Sequence, residues 1–368
     1  MKITHVISDS NVGGAGVVLC SLVSALKKNF EIEVIIPRGS ALKERLLSSG
    51  ISPKEMRLTA DSSFSVSDTI LFYRYFSKNK TDILHTHASL SSRLGGALAG
   101  IRACISTRHC AKSDSSVRKL RNLQIKLYNF CTHLTVSTAD CATKNLIYEG
   151  LDKQKIVTIK NGSPKKTRIS NSDAISLRQS LGIPLDARII GSCARLEHVK
   201  GQDLLLRAAP RILKLIPRVH FLFVGDGKAR HEYERLAARL GISGYVTFVG
   251  FTPSPEKYES LFYVNVNTSR GTETSCLATS ECMSFGIPTV ASDFGGNTEM
   301  ITPYANGLIF DTDNHFSLED ALIKLLADSE LYKTLCIGAL NSYEKSFSVE
   351  RMAEEYKNLY ESLAARLV

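Results

Sequence analysis

Ile3-Thr4-His5-Val6-Ile7-Ser8, then Ser10-Asn11-Val12-Gly13-Gly14-Ala15-Gly16, then an amphipathic run from Val17 to Leu26 state in one pass the theme of the whole chain. A short apolar run, a turn rich in glycine or small polar residues, and a stretch of helical periodicity form one strand-turn-helix unit of a parallel sheet. The theme recurs with strands expected at Ile32 to Ile36, Ile83 to Thr86, Cys104 to Thr107 and Leu134 to Ser137, and with a further helix at Ser40 to Ser49. Beyond residue 166 it starts again, with strands expected at Arg188 to Cys193, His220 to Val224, Tyr245 to Val249, Tyr263 to Asn267, Thr289 to Ser292 and Gly307 to Phe310. The fold class is therefore α/β, with two doubly wound units.

Between the halves, Asn161 to Asp186 holds the turn Asn161-Gly162, Pro164, basic residues and a polar run, the composition of an exposed connection. The expected division is residues 1–165, residues 166–346, and a C-terminal helix over 347–368 with Met352, Tyr356, Leu359, Tyr360 and Leu363 at helical spacing. That helix is able to pack on either domain, a return to the first included.

At 368 residues, 43% hydrophobic and 22% charged, the chain has material for two cores. No apolar run reaches the roughly 18 residues of a spanning helix, and the N-terminus reads as a strand rather than a signal segment, so a cytoplasmic protein is expected. Nine cysteines without zinc-ligand spacing, Cys20, Cys104, Cys110, Cys193 and Cys336 among them, read as small buried apolar residues. The net charge of +10 is lopsided: residues 1–160 carry 23 Lys and Arg against 12 Asp and Glu, the remainder 23 against 24. A basic first domain points to an anionic partner, either a phosphorylated substrate, nucleic acid or the acidic face of a membrane. Nucleic acid fits worst, since few aromatics interleave the cations and there is no Trp to stack on bases. Ser116 to Leu134, with Val117, Leu120, Leu123, Leu127 and Phe130 set among Arg118, Lys119, Arg121 and Lys126, reads either as a membrane-surface helix or as a core helix with a solvated face.

Several turns carry chemistry. Gly13 and Gly14 precede a helix, where backbone amides can approach an anion, although the spacing is not that of the dinucleotide fingerprint. After the strand Arg188 to Cys193 come Arg195 and Lys200, two cations at a strand's carboxyl end, where α/β domains bind ligands and where a diphosphate needs no metal. Gly225 stands at the next strand end. Then Gly271-Thr272-Glu273-Thr274-Ser275-Cys276-Leu277 leads to Glu281, and Gly295-Gly296-Asn297-Thr298-Glu299 follows. Glu273 falls in a loop and Glu281 inside a helix, so carboxylates can accept from vicinal hydroxyls of a sugar and of a ribose, with the amides of Thr274, Ser275, Cys276 and Leu277 facing phosphate. The pair Asp311 and Asp313 reads as two solvated loop acids rather than a metal site.

Taken together these residues resemble the donor site of retaining glycosyltransferase family 4, of GT-B fold: two Rossmann-like domains facing a cleft. Asp82-Ile83-Leu84-His85-Thr86-His87, Thr107-Arg108-His109 and Lys160-Asn161-Gly162 are similar to the family's first half in the same order. The resemblance implies a nucleotide diphosphate sugar, UDP-linked most commonly, as donor substrate, with no separate cofactor and no metal. It implies Glu273 on the donor sugar, Glu281 on the ribose, Arg195 and Lys200 on the diphosphate, and His109 reaching the transferred sugar from the first domain. Gly13, Gly14, Asn161, Gly225 and Glu299 complete the implied set, with Glu299 also readable as a helix cap. Thr274-Ser275-Cys276 departs from the family's usual Gly-Phe-Gly, and Ser163-Pro164 from its usual apolar-acidic pair. Retention of configuration needs no protein nucleophile, and none is named. The expected acceptor is a glycan or lipid-linked precursor of cell-envelope polysaccharide at the inner membrane face. The rivals are a nucleotide-sugar epimerase of the same architecture and a non-catalytic nucleotide-sugar-binding protein.

Overall fold

A computed structural model describes residues 1–87, 89–109 and 122–365. Two compact units emerge, one of Met1–Pro164 with the C-terminal segment from Val349, the other of Lys165–Ser348.

The first unit is built on a seven-stranded parallel sheet: β1 (Lys2–Ile7), β2 (Glu31–Pro37), β3 (Lys54–Met56), β4 (Ile83–His87), β5 (Cys104–Arg108), β6 (Leu134–Ser137) and β7 (Ile156–Thr158). Their order is β3-β2-β1-β4-β5-β6-β7. Central strands are buried on both faces, which is why they read as nearly continuous apolar runs. Alternate residues of β1 then serve different cores: Ile7 packs with Leu19, Val23, Ile36 and Leu46, whereas Val6 packs with Ile35, Phe72, Phe76 and Leu84. The edge strands β3 and β7 were not expected from the sequence. Each is three residues long, and β3 is Lys-Glu-Met, too short and too polar to show a period.

The C-terminal helix Val349–Ala365 buries Val349, Met352, Ala353, Tyr356 and Tyr360. It belongs to the first unit: Gly162 N donates to Met352 Sδ at 3.2 Å, and Tyr360 and Tyr356 reach the sheet through His85 and Thr107.

The second unit holds β8 (Arg188–Cys193), β9 (Val219–Val224), β10 (Val246–Gly250), β11 (Val264–Asn267), β12 (Thr289–Ser292) and β13 (Gly307–Phe310), in the order β10-β9-β8-β11-β12-β13. Its larger core joins Ile190, Phe221, Phe223, Val264, Val266 and Val290 to the helix Gln202–Leu215 and the helix His315–Ala327. In both sheets the strand order reverses beside the unit's first strand, between β1 and β4 and between β8 and β11. Crevices outside the carboxyl ends of such a pair are where open α/β sheets bind ligands.

The expected helix over Ser116 to Leu134 lies partly outside the described residues. Its described part is Asn122–Cys131, in which Cys131 is buried while Leu123 is 75%, Leu127 41% and Phe130 57% exposed. This apolar face is not core. Cys110 also lies outside the described residues; the other eight cysteines are buried or half-buried.

Candidate functional site

At the β8/β11 crevice, the chain leaves β8 through Ala194 to Glu197 and a short turn, His198–Lys200, that ends on Gly201. Gly201 has φ +66°, and a Cβ there would lie 2.2 Å from the carbonyl oxygen of Thr268, so the close approach of this loop to the end of β11 requires glycine. Thr268 Oγ1 secures the same approach by donating to Lys200 O at 2.7 Å. The Lys200 side chain is thereby carried over the crevice. Its Nζ donates to Glu273 Oε2 at 2.9 Å and to Thr272 O at 3.4 Å, and Ser269 Oγ donates to the same carboxylate oxygen at 2.7 Å. Both side chains are largely buried, 17% and 8% exposed. Burial pulls the Lys200 pKa down, but the Glu273 carboxylate more than offsets it, so the net shift is upward and the ammonium is retained.

The loop that carries Glu273 is held from below by a chain of buried polar contacts. Asn267 Nδ2 donates to Asn297 Oδ1 at 2.9 Å, Asn297 Nδ2 to Ser292 Oγ at 3.0 Å, and Ser292 Oγ to Ser269 O at 2.6 Å. Gly296 N donates to Glu273 O at 3.2 Å, and a Cβ at Gly296 would lie 1.4 Å from Thr274 O. The Gly295-Gly296 turn is thus a backplate for the Glu273 loop. Thr274 is buried, and Cys276 caps the helix Leu277–Ser284, so Ser275, Cys276 and Leu277 stand at a helix N-terminus whose first amides have no intrahelical acceptor. The Cys276 thiol, pushed up to about 11 by burial and by Glu273, stays protonated.

Glu281 sits inside that helix, 7% exposed, and its Oε1 is 3.1 Å from Lys166 Nζ. Neither Lys166 nor the wholly buried Glu259 was singled out from sequence. Burial, followed by Glu281, raises the Glu259 pKa to about 8, so this acid is protonated at neutral pH. Lys166 stood in a basic linker and Glu259 in Pro255-Glu256-Lys257-Tyr258-Glu259, which reads as a solvated turn of helix. Arg195 departs from the expected convergence: its Nη1 donates to Glu197 Oε1 at 2.8 Å and its side chain is 69% exposed, because a neighbour two residues away captures the guanidinium. Gly225 N donates to Gly250 O at 3.0 Å, and the turn it begins is tied to the crevice loop by Leu196 N donating to Asp226 O at 3.0 Å. Glu299 lies half-buried in the short helix Asn297–Met300 beyond the backplate. Asp313 Oδ1 accepts from Arg270 Nη1 at 3.0 Å, and Asp311 is an exposed neighbour in the same turn.

The family profile for glycosyl transferases group 1 matches residues 173–339, and that for glycosyltransferase family 4 matches residues 12–164. The chain belongs to glycosyltransferase family 4. Among curated relatives, the O-antigen biosynthesis glycosyltransferase WclY of Escherichia coli is 24% identical over 390 residues, covering 99% of both chains. A D-inositol 3-phosphate glycosyltransferase of Corynebacterium urealyticum is 27% identical over 312 residues, covering 77% of this chain and 72% of its own. Among solved structures, Anabaena Alr3699/HepE in complex with UDP and glucose superposes with a TM-score of 0.85 at 21% identity, covering 98% of this chain and 100% of its own. The lipopolysaccharide outer core galactosyltransferase WaaB superposes with a TM-score of 0.72 at 18% identity over 98% of this chain and 100% of its own. These superpositions establish the GT-B fold.

In the first unit, the glycosyltransferase places Gly13 and Gly14 at the start of the helix Gly14–Leu26, where a Cβ on either would meet no atom within 4 Å. Packing does not demand glycine at these two positions. His109 follows β5, with its Nε2 2.9 Å from His87 Nδ1, and burial lowers its pKa to about 4, so the imidazole is neutral. Asn161 is buried next to the C-terminal helix, and its Oδ1 has no hydrogen-bond partner among the described residues.

Proposed function

We propose that this glycosyltransferase moves a hexose or N-acetylhexosamine from a UDP-sugar to a glycan or lipid-linked acceptor in cell-envelope polysaccharide synthesis, with retention of configuration and without a metal. The observation that carries the donor half of this reading is the Lys200–Glu273 pair, buried at the β8/β11 switch point beside a helix N-terminus. Breaking the bond between an anomeric carbon and a diphosphate leaves negative charge on the leaving group, and preorganised cations and amides answer that charge. Lys200 and the first amides of the helix Leu277–Ser284 are assigned to the diphosphate, joined by Arg195 once it leaves Glu197. Glu273 is assigned to the donor sugar hydroxyls and Glu281 to the ribose, with Glu299, Gly225 and the Thr274-to-Leu277 turn lining the donor. His109, Gly13, Gly14 and Asn161 are the first unit's contribution to transfer. The leaving phosphate oxygen accepts the acceptor's proton, so the protein supplies charge and position rather than a nucleophile.

A thermal-shift panel of nucleotide sugars followed by transfer assays with the best stabiliser tests this reading. The expected result is stabilisation by UDP-sugars, product of unchanged anomeric configuration by NMR, and a rate unaffected by EDTA. Inversion, a chelator-sensitive rate, or epimerisation of the donor without transfer would overturn it.

The exposed face of Leu123, Leu127 and Phe130, with Lys126 on the same helix and the first half's surplus of cations, supports peripheral contact with an anionic membrane. No described helix is long and apolar enough to cross one. Co-sedimentation with phosphatidylglycerol vesicles is expected to fall on Leu123→Glu/Phe130→Glu substitution and with added salt, while phosphatidylcholine vesicles bind little. Equal binding by wild type and double variant would remove the helix from this role.

A further inference from the structure

Lys166, to which the transfer chemistry assigns no part, is tied to Glu281 through both its side chain and its backbone. Its Nζ lies 3.1 Å from Glu281 Oε1, and the two side chains are 17% and 10% exposed. Its amide N donates to Ser284 Oγ at 3.2 Å, and that hydroxyl donates to Glu281 O at 2.6 Å. Glu281 and Ser284 share the last turn of the helix Leu277–Ser284, so every one of these contacts binds Lys166 to the turn that bears the carboxylate.

A cation that pairs with a helix carboxylate often serves only to clasp the segment that carries it. Here the segment is clasped without that pair. Two residues on, Arg168 Nη1 donates to Ser260 O at 2.7 Å and Nη2 to Phe285 O at 2.9 Å, with the guanidinium 5.5 Å from the centre of the Phe285 ring. Together with the Lys166 amide, these bonds fix the start of the second unit on the C-terminal end of the helix, and the Lys166 ammonium is left to the carboxylate. The other acid of this neighbourhood, Glu259, is kept protonated at neutral pH by burial and does not compete for the cation. Desolvation favours the neutral form of an acid, so a mostly buried carboxylate holds its charge best beside a cation. Once ionised it is an acceptor only, with about four lone-pair sites, and an oxygen that accepts from Lys166 can accept from a hydroxyl as well.

We propose that Lys166 is a positioning residue for ribose recognition: it pins Glu281 in one rotamer as a charged acceptor, and so sets how strongly the chain prefers a ribonucleotide over a deoxyribonucleotide. This rests on the reading that Glu281 takes the ribose of the donor. A neutral or swinging carboxyl would fill the same space, but hydrogen bonds to an ionised acceptor are roughly twice as strong as neutral ones. A site built to bind a hydroxyl also rejects the analogue that lacks it, because a buried polar group is then left unpaired. Lys166 acts at the ribose end of the donor rather than at the diphosphate or the transferred sugar, so its weight falls on donor binding and not on the chemical step.

Isothermal titration of the full chain at neutral pH with UDP and with dUDP, which lacks one ribose hydroxyl, tests the proposal. The wild type is expected to bind UDP on the order of tenfold more tightly than dUDP. Lys166→Met should lose most of that ratio, with donor KM raised on the order of tenfold and kcat at saturating donor unchanged. Lys166→Arg should keep the ratio, and Lys166→Gln, which retains a polar head without the charge, is measured in parallel so that the ratio is read on a folded protein. In a Glu281→Gln background, Lys166→Met should change the ratio no further. A wild-type ratio in the folded Met or Gln variant would overturn the proposal while leaving the ribose assignment of Glu281 intact. A further loss in the Glu281→Gln background would also overturn it, since Lys166 would then act on the nucleotide itself. A wild type that binds UDP and dUDP equally would overturn the ribose assignment, and the positioning role with it.

Discussion

Replacing Lys200 by Met is expected to lower kcat by about 10²–10³-fold, the loss typical of removing one preorganised group that answers developing charge. The same substitution is expected to destabilise the protein, for a separate reason. Lys200 Nζ and Glu273 Oε2 are 2.9 Å apart and both side chains are mostly shielded from water, so the single variant strands a mostly buried carboxylate that has lost its cation, with the Ser269 hydroxyl still donating to it. Breaking one side of a buried pair costs about 3–5 kcal/mol, whereas replacing both partners with neutral groups of similar volume is often close to neutral. The double variant Lys200→Met/Glu273→Gln should therefore recover most of the melting temperature while transfer stays at the low rate of the single variant. Thermal melts and initial-rate kinetics on the wild type, both single variants and the double variant complete the cycle. A double variant that transfers at the wild-type rate would reduce the pair to a structural contact and take the donor assignment with it.

How that pair comes together shows how far a sequence can be read. Lys200 and Glu273 are 73 residues apart, yet each follows a strand, and β8 and β11 are neighbours where the sheet order reverses. A repeated strand-turn-helix theme is enough to expect that two such turns face one crevice. The theme cannot say where a flexible side chain goes once it arrives. Arg195 pairs with Glu197 instead of joining Lys200, a competition settled by local loop geometry. Glu281 meets Lys166, a residue hidden from the sequence because its linker reads as exposed and basic. Glu259 is wholly buried, which the sequence does not show, since four residues of helix are too few for a period to tell which face turns inward. His5 and His85 were legible only as strand residues. That they touch follows from register, which hydrophobic pattern does not specify between two strands buried on both faces.

Register also has a thermodynamic consequence: lowering the pH from 7 to 4.5 is expected to destabilise the protein steeply, with net proton uptake on unfolding. Burial lowers the pKa of His5 to about 3 and those of His109 and His220 to about 4, and holds His85 and His87 well below the ordinary value of 6.5. Below pH 6.5 the unfolded chain binds protons at these rings that the folded protein refuses, so stability falls as pH falls, until the folded pKa values are reached. Each such ring contributes on the order of 1 kcal/mol per pH unit in that window, against a total stability of about 5–15 kcal/mol. The rings of the first unit also repel one another once charged: His87 faces His85, His109 and His5, so protonating any one makes the next harder. Glu259 acts in the opposite sense. Its folded pKa is raised to about 8, so its contribution is lost as pH rises from 4.5 through 8 and recovered on acidification. One carboxyl offsets about one ring, and the histidines prevail. Urea midpoints measured at half-unit steps from pH 8 to 4.5 should fall toward acid, and Glu259→Gln should steepen that fall by removing the offset. Midpoints that stay level down to pH 4.5 would mean that the buried rings accept protons in the folded state, and the packing that joins His5, His85 and His87 to the C-terminal helix would then have to loosen well before the protein unfolds.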